Sequence, residues 1–279
     1  MEQLVATGEL VHNDQYAAML AKEFGVNASR TVINRALKQE LGASLVKCPT
    51  ATLDKFRVDN LIRLEEFLDE LMDVPRSRLR FYDQSGFNMQ DLINTKRRKL
   101  PGQEPPLIRT PSTRGRHFSI FGITSIRPNQ VPLFYEVYEC SNENGQSSLH
   151  HTDFFATCVE HGVLERDVDV VVWDNWSAHT GLDGQELRDV LQDDWGIACV
   201  PLPAKFSELN SVEHCWRRVK SRARRMIAEY VVPSEDVVVR AMIEGLESIK
   251  HRDIVVEMKH DGYVVEVEAV SELMRAGLW

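Results

Sequence analysis

Three acidic residues lie where carboxylates could bind metal ions. Asp83 follows the apolar run RLRFY, Asp174 follows VVVW, and Glu213 comes two residues after ELNS. Three carboxylates without a histidine or cysteine cluster are typical ligands of hard divalent cations such as Mg²⁺ or Mn²⁺. Two such ions, about 3.5–4 Å apart, carry out phosphoryl transfer in two-metal sites. The sequence therefore predicts a two-metal site that acts on a phosphodiester.

Charge explains why such a site needs cations. Three carboxylates repel one another and also repel an anionic phosphate, whereas two divalent ions more than offset their charge. Each acid also has a simpler interpretation. Asp174 with Asn175 suits a turn or a helix cap, and Glu213 suits an exposed pair with Arg217 four residues on. The hypothesis depends on the three acids together.

A mixed sheet is predicted to hold these acids. Three consecutive strands are followed by the order strand–helix–strand–helix, which indicates an α/β fold. If the first and fourth strands are neighbours, both aspartates leave the same end of the sheet, and a helix across that end brings Glu213 close. The predicted strands cover 78–84, 117–126, 131–140, 168–175 and 197–203, and the predicted helices cover 148–164, 184–196 and 207–227.

The segment 13–42 has the pattern of a helix-turn-helix. Asp14 can cap a first helix that ends at Gly25, and Asn27 or Ser29 starts a second. An ordinary pair of helices fits the segment equally well. The exposed face of the second helix would carry side chains suited to base edges and phosphates, namely Arg30, Thr31, Asn34, Arg35 and Lys38.

Three regions follow from this reading. Residues 1–46 are predicted to form a small all-α helix-turn-helix DNA-binding domain, 47–77 a linker with a helix, and 78–279 the α/β catalytic domain. Within the last region a helix is expected over 234–249, and the alternating pattern around Asp261-Gly262 predicts a small hairpin.

Composition limits the class of protein. The formal net charge is −9, yet basic residues cluster in INTKRRKL and in WRRVKSRARR, so a nucleic-acid partner is compatible with an acidic chain. Either basic run alone could be a solvated face. We expect no membrane contact, because no apolar run approaches the roughly 20 residues of a membrane span. Five scattered cysteines without a CxxC pair, and the lack of a signal-peptide pattern, predict free thiols in an intracellular protein.

Several blocks of the sequence resemble the mariner-like DDE transposases, whose catalytic domain has the RNase H-like fold. RLRFYDQSGFNM resembles the block of the first aspartate and VVVWDNWSAHT that of the second. VPLPAKFSELNSVEHCWRRVK resembles the block of the glutamate, and RGRHFSIFGITSI an intervening strand. The likeness covers roughly 78–225 and places the helix-turn-helix upstream of the catalytic core, as in that family.

Some positions depart from the family pattern. Gln84 follows the first aspartate where the family commonly has Glu, and NSVE stands where Asn-Pro-Ile-Glu is usual. The spacing from Asp174 to Glu213, with 38 residues between them, is a little longer than is typical of the best-known members of the family. Glu208 would shorten it, but its flanks match less well. One helix-turn-helix is present where many relatives carry two.

The resemblance implies a transposase that cleaves transposon ends and joins the freed 3′-hydroxyl to target DNA. It implies that Asp83, Asp174 and Glu213 bind two Mg²⁺ (or Mn²⁺) ions, with Asn175 and His179 close by. His179 would contact DNA, support the active site, or only pack at the corner between strand and helix. Trp216 is expected in the core. Further phosphate contacts near the active centre are expected from Arg218, Arg222 and Arg225.

The expected partner is double-stranded DNA, both the inverted repeats of the transposon and the target. Because two DNA ends are handled together, a homodimer or a larger oligomer is expected. The family's eukaryotic members suggest the nucleus, with a bacterial cytoplasm as the alternative.

Two other functions remain open at this point. The chain could be a domesticated DNA-binding protein without catalytic turnover, although an intact triad favours activity. It could also be a nuclease of the same fold that acts in repair or on RNA hybrids, although a helix-turn-helix has little use there. Inverted terminal repeats beside the gene would favour a mobile element.

Overall fold

The computed structural model describes residues 12–43, 53–93, 104, 115–140, 148–174, 182–228, 230 and 233–279. The chain divides into two compact units, Met1–Thr52 and Leu53–Trp279. Within the described residues, every helix is too short or too polar to cross a membrane.

In the described part of the first unit, two α-helices are joined by a tight turn, and a π-helix (Ala36–Glu40) follows the second of them. Helix α1 (Asn13–Phe24) ends at Gly25, whose φ of 64° is the left-handed conformation that glycine adopts most easily. Helix α2 (Arg30–Arg35) begins after Ser29, whose hydroxyl accepts the N–H of Val32. The predicted all-α region is confirmed. At the start of α1 the cap is His12, not the predicted Asp14, which lies in the first turn.

The second unit is built on a five-stranded mixed sheet. The strands are β1 (Leu79–Phe87), β2 (His117–Thr124), β3 (Leu133–Cys140), β4 (Val170–Trp173) and β5 (Ala198–Pro201). Their order in the sheet is β3-β2-β1-β4-β5. The first three strands pair antiparallel, whereas β1–β4 and β4–β5 pair parallel. The first and fourth strands are therefore neighbours, as the position of the acids required.

Helices cover both faces of this sheet, which explains the apolar strands. Successive residues of β1 point to opposite faces: Phe81 belongs to one core cluster and Tyr82 to the other. The second unit contains α3 (Val58–Met72), α4 (Ser148–Glu160), α5 (Leu182–Asp189), α6 (Ser211–Ile227), α7 (Glu235–Glu247), α8 (His251–His260) and α9 (Val267–Arg275). The α/β prediction is confirmed.

Two local predictions were wrong. The first strand, predicted over 78–84, does not turn away after Asp83 and Gln84 but continues to Phe87, because β2 pairs with it as far as Phe87 opposite Phe118. Pairing with β4, in contrast, stops at Tyr82. No hairpin forms around Asp261-Gly262. Helix α8 precedes that turn and buries the helically spaced Ile254, Val255 and Met258, and α9 follows it.

Buried charges at the amino ends of β1 and β4 are paired. Arg80 is fully buried, and its Nη2 lies 3.2 Å from Oδ1 of Asp169. Arg127 contacts the same oxygen at 2.5 Å. Arg80 also donates to the carbonyls of Ser77 and Val163. This network leaves few buried donors unmatched, which is the condition for keeping a guanidinium inside a protein.

Candidate active site

Trp216 and Gly122 determine the surroundings of the Asp83 carboxylate. Its Oδ2 accepts a hydrogen bond from the indole Nε1–H of Trp216 at 2.8 Å. Across the antiparallel pair, Asp83 faces Gly122. A Cβ at residue 122 would lie 2.4 Å from Cη2 of Trp216, so only glycine leaves room for the indole. The indole therefore holds one carboxylate oxygen of Asp83.

Helix α6 is anchored against β1 beside this position. The buried side chain of Asn210, just before the helix, donates to the carbonyl of Tyr82 at 3.1 Å. Farther along, Nζ of Lys220 donates to the carbonyl of Gly86 at 3.0 Å. These two bonds fix the helix to the strand on both sides of Asp83. Glu213 lies in the first turn of the helix.

Asp174 comes from the neighbouring strand. It is the first residue after β4, whose last residue, Trp173, pairs with Tyr82 of β1. Asp83 and Asp174 are thus each one residue beyond a paired position. Asp83, Asp174 and Glu213 are all half-buried, and they come from three separate elements that meet at one end of the sheet.

The pKa values show that these acids influence one another. Burial, then the negative charge of Glu213, raises the pKa of Asp83 to about 7, although the Trp216 hydrogen bond opposes the rise and Asp174 adds to it. Burial and the charge of Asp174 raise the pKa of Glu213. Among the described residues, neither Asp83 nor Glu213 forms an ion pair. The site concentrates negative charge that a cation would neutralise.

This donor set fits a hard divalent cation. All three ligands are carboxylates, and the indole occupies only one oxygen of Asp83. Among the described residues, no choice of one oxygen from each of the three acids brings all three within 4.8 Å of one another. The chemistry open to this arrangement is attack on a phosphodiester.

Several supporting residues escaped the sequence reasoning. Trp216 was expected only in the core. It is buried there, but it also contacts Asp83. Its position three residues after Glu213, on the same helix face, was the available signal. Gly122 and Asn210 carry no signal in the sequence, because their roles depend on the register of β1 against β2 and α6. Asn175 and His179 lie outside the described residues.

The predicted phosphate-binding arginines lie on another side of α6. Arg222 and Arg225 are exposed, whereas Arg218 donates from Nε to Oε1 of Glu257 at 2.7 Å and lies 3.4 Å from Asp253. Their positions are roughly a third to half a turn around the helix from Glu213. Any phosphate they contact would therefore follow a different face of the helix from the carboxylates.

The face predicted to read DNA in the first unit is exposed. Ile33 points inward and is fully buried, which turns the other side of α2 and of the following π-helix (Ala36–Glu40) towards solvent. Arg30 lies 3.9 Å from Asp14 in an exposed pair that contributes little. The exposed residues include all five predicted contacts: Arg30, Thr31, Asn34, Arg35 and Lys38.

Residues 78–230, more than half of the chain, match the family described as DDE superfamily endonuclease. No protein of curated function matches the chain by sequence. Among solved structures it is similar to the Mos1 Strand Transfer Complex, with a TM-score of 0.60 and 12% identity. It is also similar to the mariner Mos1 paired end complexes with Mg (TM-score 0.60, 14% identity) and with Mn (0.56, 13%). Each match covers 95% of this chain and 78% of the other. At such identities the likeness establishes the fold, which is the RNase H-like fold of those transposases.

Proposed function

This chain belongs to the DDE superfamily endonucleases, and we propose that it is a DNA transposase that cleaves transposon ends and joins the freed 3′-hydroxyl to target DNA. The observation that carries the proposal is the meeting of Asp83, Asp174 and Glu213 at one end of the sheet, with raised pKa values for the first and the third. The similarity to strand transfer and paired end complexes extends over 95% of the chain and thus beyond the endonuclease region.

We propose that the three acids hold two Mg²⁺ or Mn²⁺ ions. When bound, such ions activate the attacking oxygen and stabilise the leaving oxygen of a phosphodiester. The similar structures include one complex with Mg and one with Mn. For this chain, the preference rests on a ligand set made only of carboxylates.

The protein's own contribution is to position these carboxylates. Trp216 holds Oδ2 of Asp83, so its other oxygen keeps a constant direction. Asn210 and Lys220 keep α6, and with it Glu213, in place against β1. Such orientation matters because an error of about 1 Å in a reacting group can cost a hundredfold in rate.

We propose that the predicted domains divide the work on DNA. Residues 1–46 would bind the inverted repeats through Arg30, Thr31, Asn34, Arg35 and Lys38, all of which are exposed. Residues 78–279 would carry the chemistry, with Arg222 and Arg225 available to phosphates and Arg218 after release from Glu257. Two DNA ends require at least a homodimer. The nucleus is the proposed location, and a bacterial cytoplasm is the alternative.

The test is a nicking and strand-transfer assay on DNA that carries the sequences flanking the gene. Wild type and Asp174→Asn are compared with Mg²⁺, with Mn²⁺ and with neither. We expect metal-dependent products from the wild type and a loss of about a thousandfold or more in the variant, because a ligand of the reacting ions is removed.

Asp153→Asn, an exposed change on α4, is the matched control and should keep full activity. Metal-independent cleavage, or equal activity of Asp174→Asn, would contradict the proposal. Tight binding to the same DNA without any cleavage would identify a domesticated DNA-binding protein instead.

A further inference from the structure

A second cluster of potential ligands lies where α6 meets the end of α8. Nε2 of His214 is 2.7 Å from Oδ1 of Asp261, and Nδ1 of His260 is 3.1 Å from the same oxygen. One ligand atom from each of these residues lies within 4.8 Å of the others. Among the described residues, no other group of three such side chains meets this spacing.

One carboxylate oxygen of Asp261 lacks a hydrogen-bond partner. Its side chain is only 1% exposed. While Oδ1 takes both histidine contacts, Oδ2 is buried, and no described residue donates a hydrogen bond to it. A buried carboxylate oxygen without a partner is costly, because it has lost its hydrogen bonds to water without gaining others. A cation bound by this carboxylate would remove that cost.

We propose that His214, His260 and Asp261 bind a zinc-type transition-metal ion. Two imidazole nitrogens and one carboxylate oxygen form a ligand set that zinc accepts, with a fourth position left for water. Nitrogen ligands distinguish this site from the carboxylates, which suit Mg²⁺ or Mn²⁺. The proposal is independent of the transposase function and uses none of the cysteines.

Neighbouring charges are compatible with such an ion. Oε2 of Glu257 lies 3.5 Å from Nδ1 of His214, so this carboxylate can orient the ring while Nε2 binds the metal. The guanidinium of Arg217 also contacts the His214 ring. Because Arg217 is exposed, its side chain can turn into solvent when a cation binds. It should nevertheless oppose binding by repulsion.

The ion would fasten two helices together. His214 is the residue after Glu213 on α6, whereas His260 is the last residue of α8 and Asp261 follows it. An ion at this place would therefore link the start of the helix carrying Glu213 to the C-terminal helices. Since an unfolded chain offers no preformed site, binding would also stabilise the folded state.

The experiment measures binding of Zn²⁺ by calorimetry and of Co²⁺ by visible absorption, using the full chain. We expect one Zn²⁺ at this site and Co²⁺ bands of tetrahedral type. His260→Ala should weaken binding by at least about tenfold and remove the bands, because even changes around the ligands cost 10–100-fold. The His260 side chain is 70% exposed, so the variant should fold.

His161→Ala, which removes an exposed histidine elsewhere, is the matched control and should bind as wild type. Arg217→Met should bind more tightly. Asp174→Asn should still bind Zn²⁺ here, so the result does not depend on the transposase activity. Binding that survives His260→Ala, or that is lost in Asp174→Asn, would overturn the proposal and place the ion at the carboxylates.

Discussion

Buried charges are paired at the amino ends of strands β1 and β4, whereas charges of like sign lie together at their carboxyl ends. At the amino end, Asp169 has Arg80 and Arg127 within 3.2 Å, and the arginines have further acceptors. At the carboxyl end, Asp83 and Glu213 lie among other acids, and Asp83 accepts hydrogen bonds only from neutral groups among the described residues, namely the indole of Trp216 and the backbone N–H of Gln84.

This contrast separates stability from function within a single sheet. At the paired end, Arg80 and Arg127 face the carboxylates of Asp169 and Glu165, so the group is neutral in total and needs no ion from outside. A cluster of like charges is destabilised by electrostatic repulsion until a cation binds. The carboxyl end of the two strands therefore favours binding of a cation. Changes at the two ends should therefore have opposite effects on stability.

The largest effect is expected at the paired end. Asp169→Asn keeps the shape of the side chain but leaves the buried Arg80 without its main counter-charge. We expect a loss of about 3–5 kcal/mol in the free energy of unfolding, measured in urea. Asp193→Asn, an exposed change, should have little effect. A loss below about 1 kcal/mol would show that Glu165 or the backbone carbonyls around Arg80 replace the pairing.

At the carboxyl end, removing a charge should stabilise the metal-free protein. Because the pKa of Asp83 rises from 3.8 to about 7 on folding, the folded state binds more protons than the unfolded state between these values. Stability therefore falls as pH rises from about 4 to 7 and stays lower above it. Asp83→Asn should abolish this fall and raise the free energy of unfolding near neutral pH by about 2–4 kcal/mol.

The measurement is urea unfolding with a chelator at acidic and at slightly alkaline pH. Gln84→Glu adds an acid at the next position, where the side chain turns to the other face of the strand, and should leave the pH dependence from Asp83 in place. Equal stability of wild type and Asp83→Asn at both pH values would show that Asp83 is ionised without cost.

A smaller effect is expected when the indole donor to Asp83 is removed. Trp216→Phe keeps an aromatic ring in the core but loses the N–H that holds Asp83. We expect metal-dependent cleavage to fall by about 10–100-fold, the usual range for groups that orient a metal ligand. The apparent affinity for Mn²⁺ should fall with it. A loss of stability without any change in metal affinity would leave Trp216 a core residue only.

Gly122 provides an internal check on that result. Gly122→Ala places a methyl group against the indole, 2.4 Å from Cη2, and should displace Trp216 from Asp83. With Phe at position 216 the atoms that collide are gone, so the two changes together should cost less than their sum. Additive losses in cleavage rate would mean that Gly122 acts by another route.

The smallest effect comes from supplying the cation. Mg²⁺ or Mn²⁺ at ten times its dissociation constant should add about 1.4 kcal/mol to the free energy of unfolding. In Asp83→Asn this stabilisation by the ion should be lost, because a ligand is missing. In Asp169→Asn it should be kept, because the paired end does not bind the ion. Thermal unfolding with and without the ion measures both. Stabilisation of equal size in Asp83→Asn would place the ion elsewhere.

Local sequence patterns were enough to predict the fold of the second unit. Apolar runs that end in Asp83 and Asp174, together with the order of strands and helices, predicted a mixed sheet with both aspartates at one end. The C-terminal region was misjudged because IVVEMKHDGYVVEVE alternates over a short stretch. Its first half, with Ile254, Val255 and Met258, forms a helix and buries these residues with helical spacing. After the turn, Tyr263 and Val265 are buried and Val264 is exposed, but this stretch forms no strand.

Contacts between distant elements could not be predicted in the same way. The closeness of Gly122, Trp216 and Asp83 depends on strand register and on where α6 crosses the sheet. Likewise, Arg218 seemed available to DNA until α8 placed Glu257 beside it. Only the assembled fold determines which charges are already paired.

The distance along the chain between the carboxylates also bears on the synthesis of the protein. Asp83 is made early, Asp174 much later, and Glu213 only with α6. A nascent chain that ends before this helix lacks Glu213, so under the proposed function metal-dependent cleavage has to wait until α6 has been synthesised.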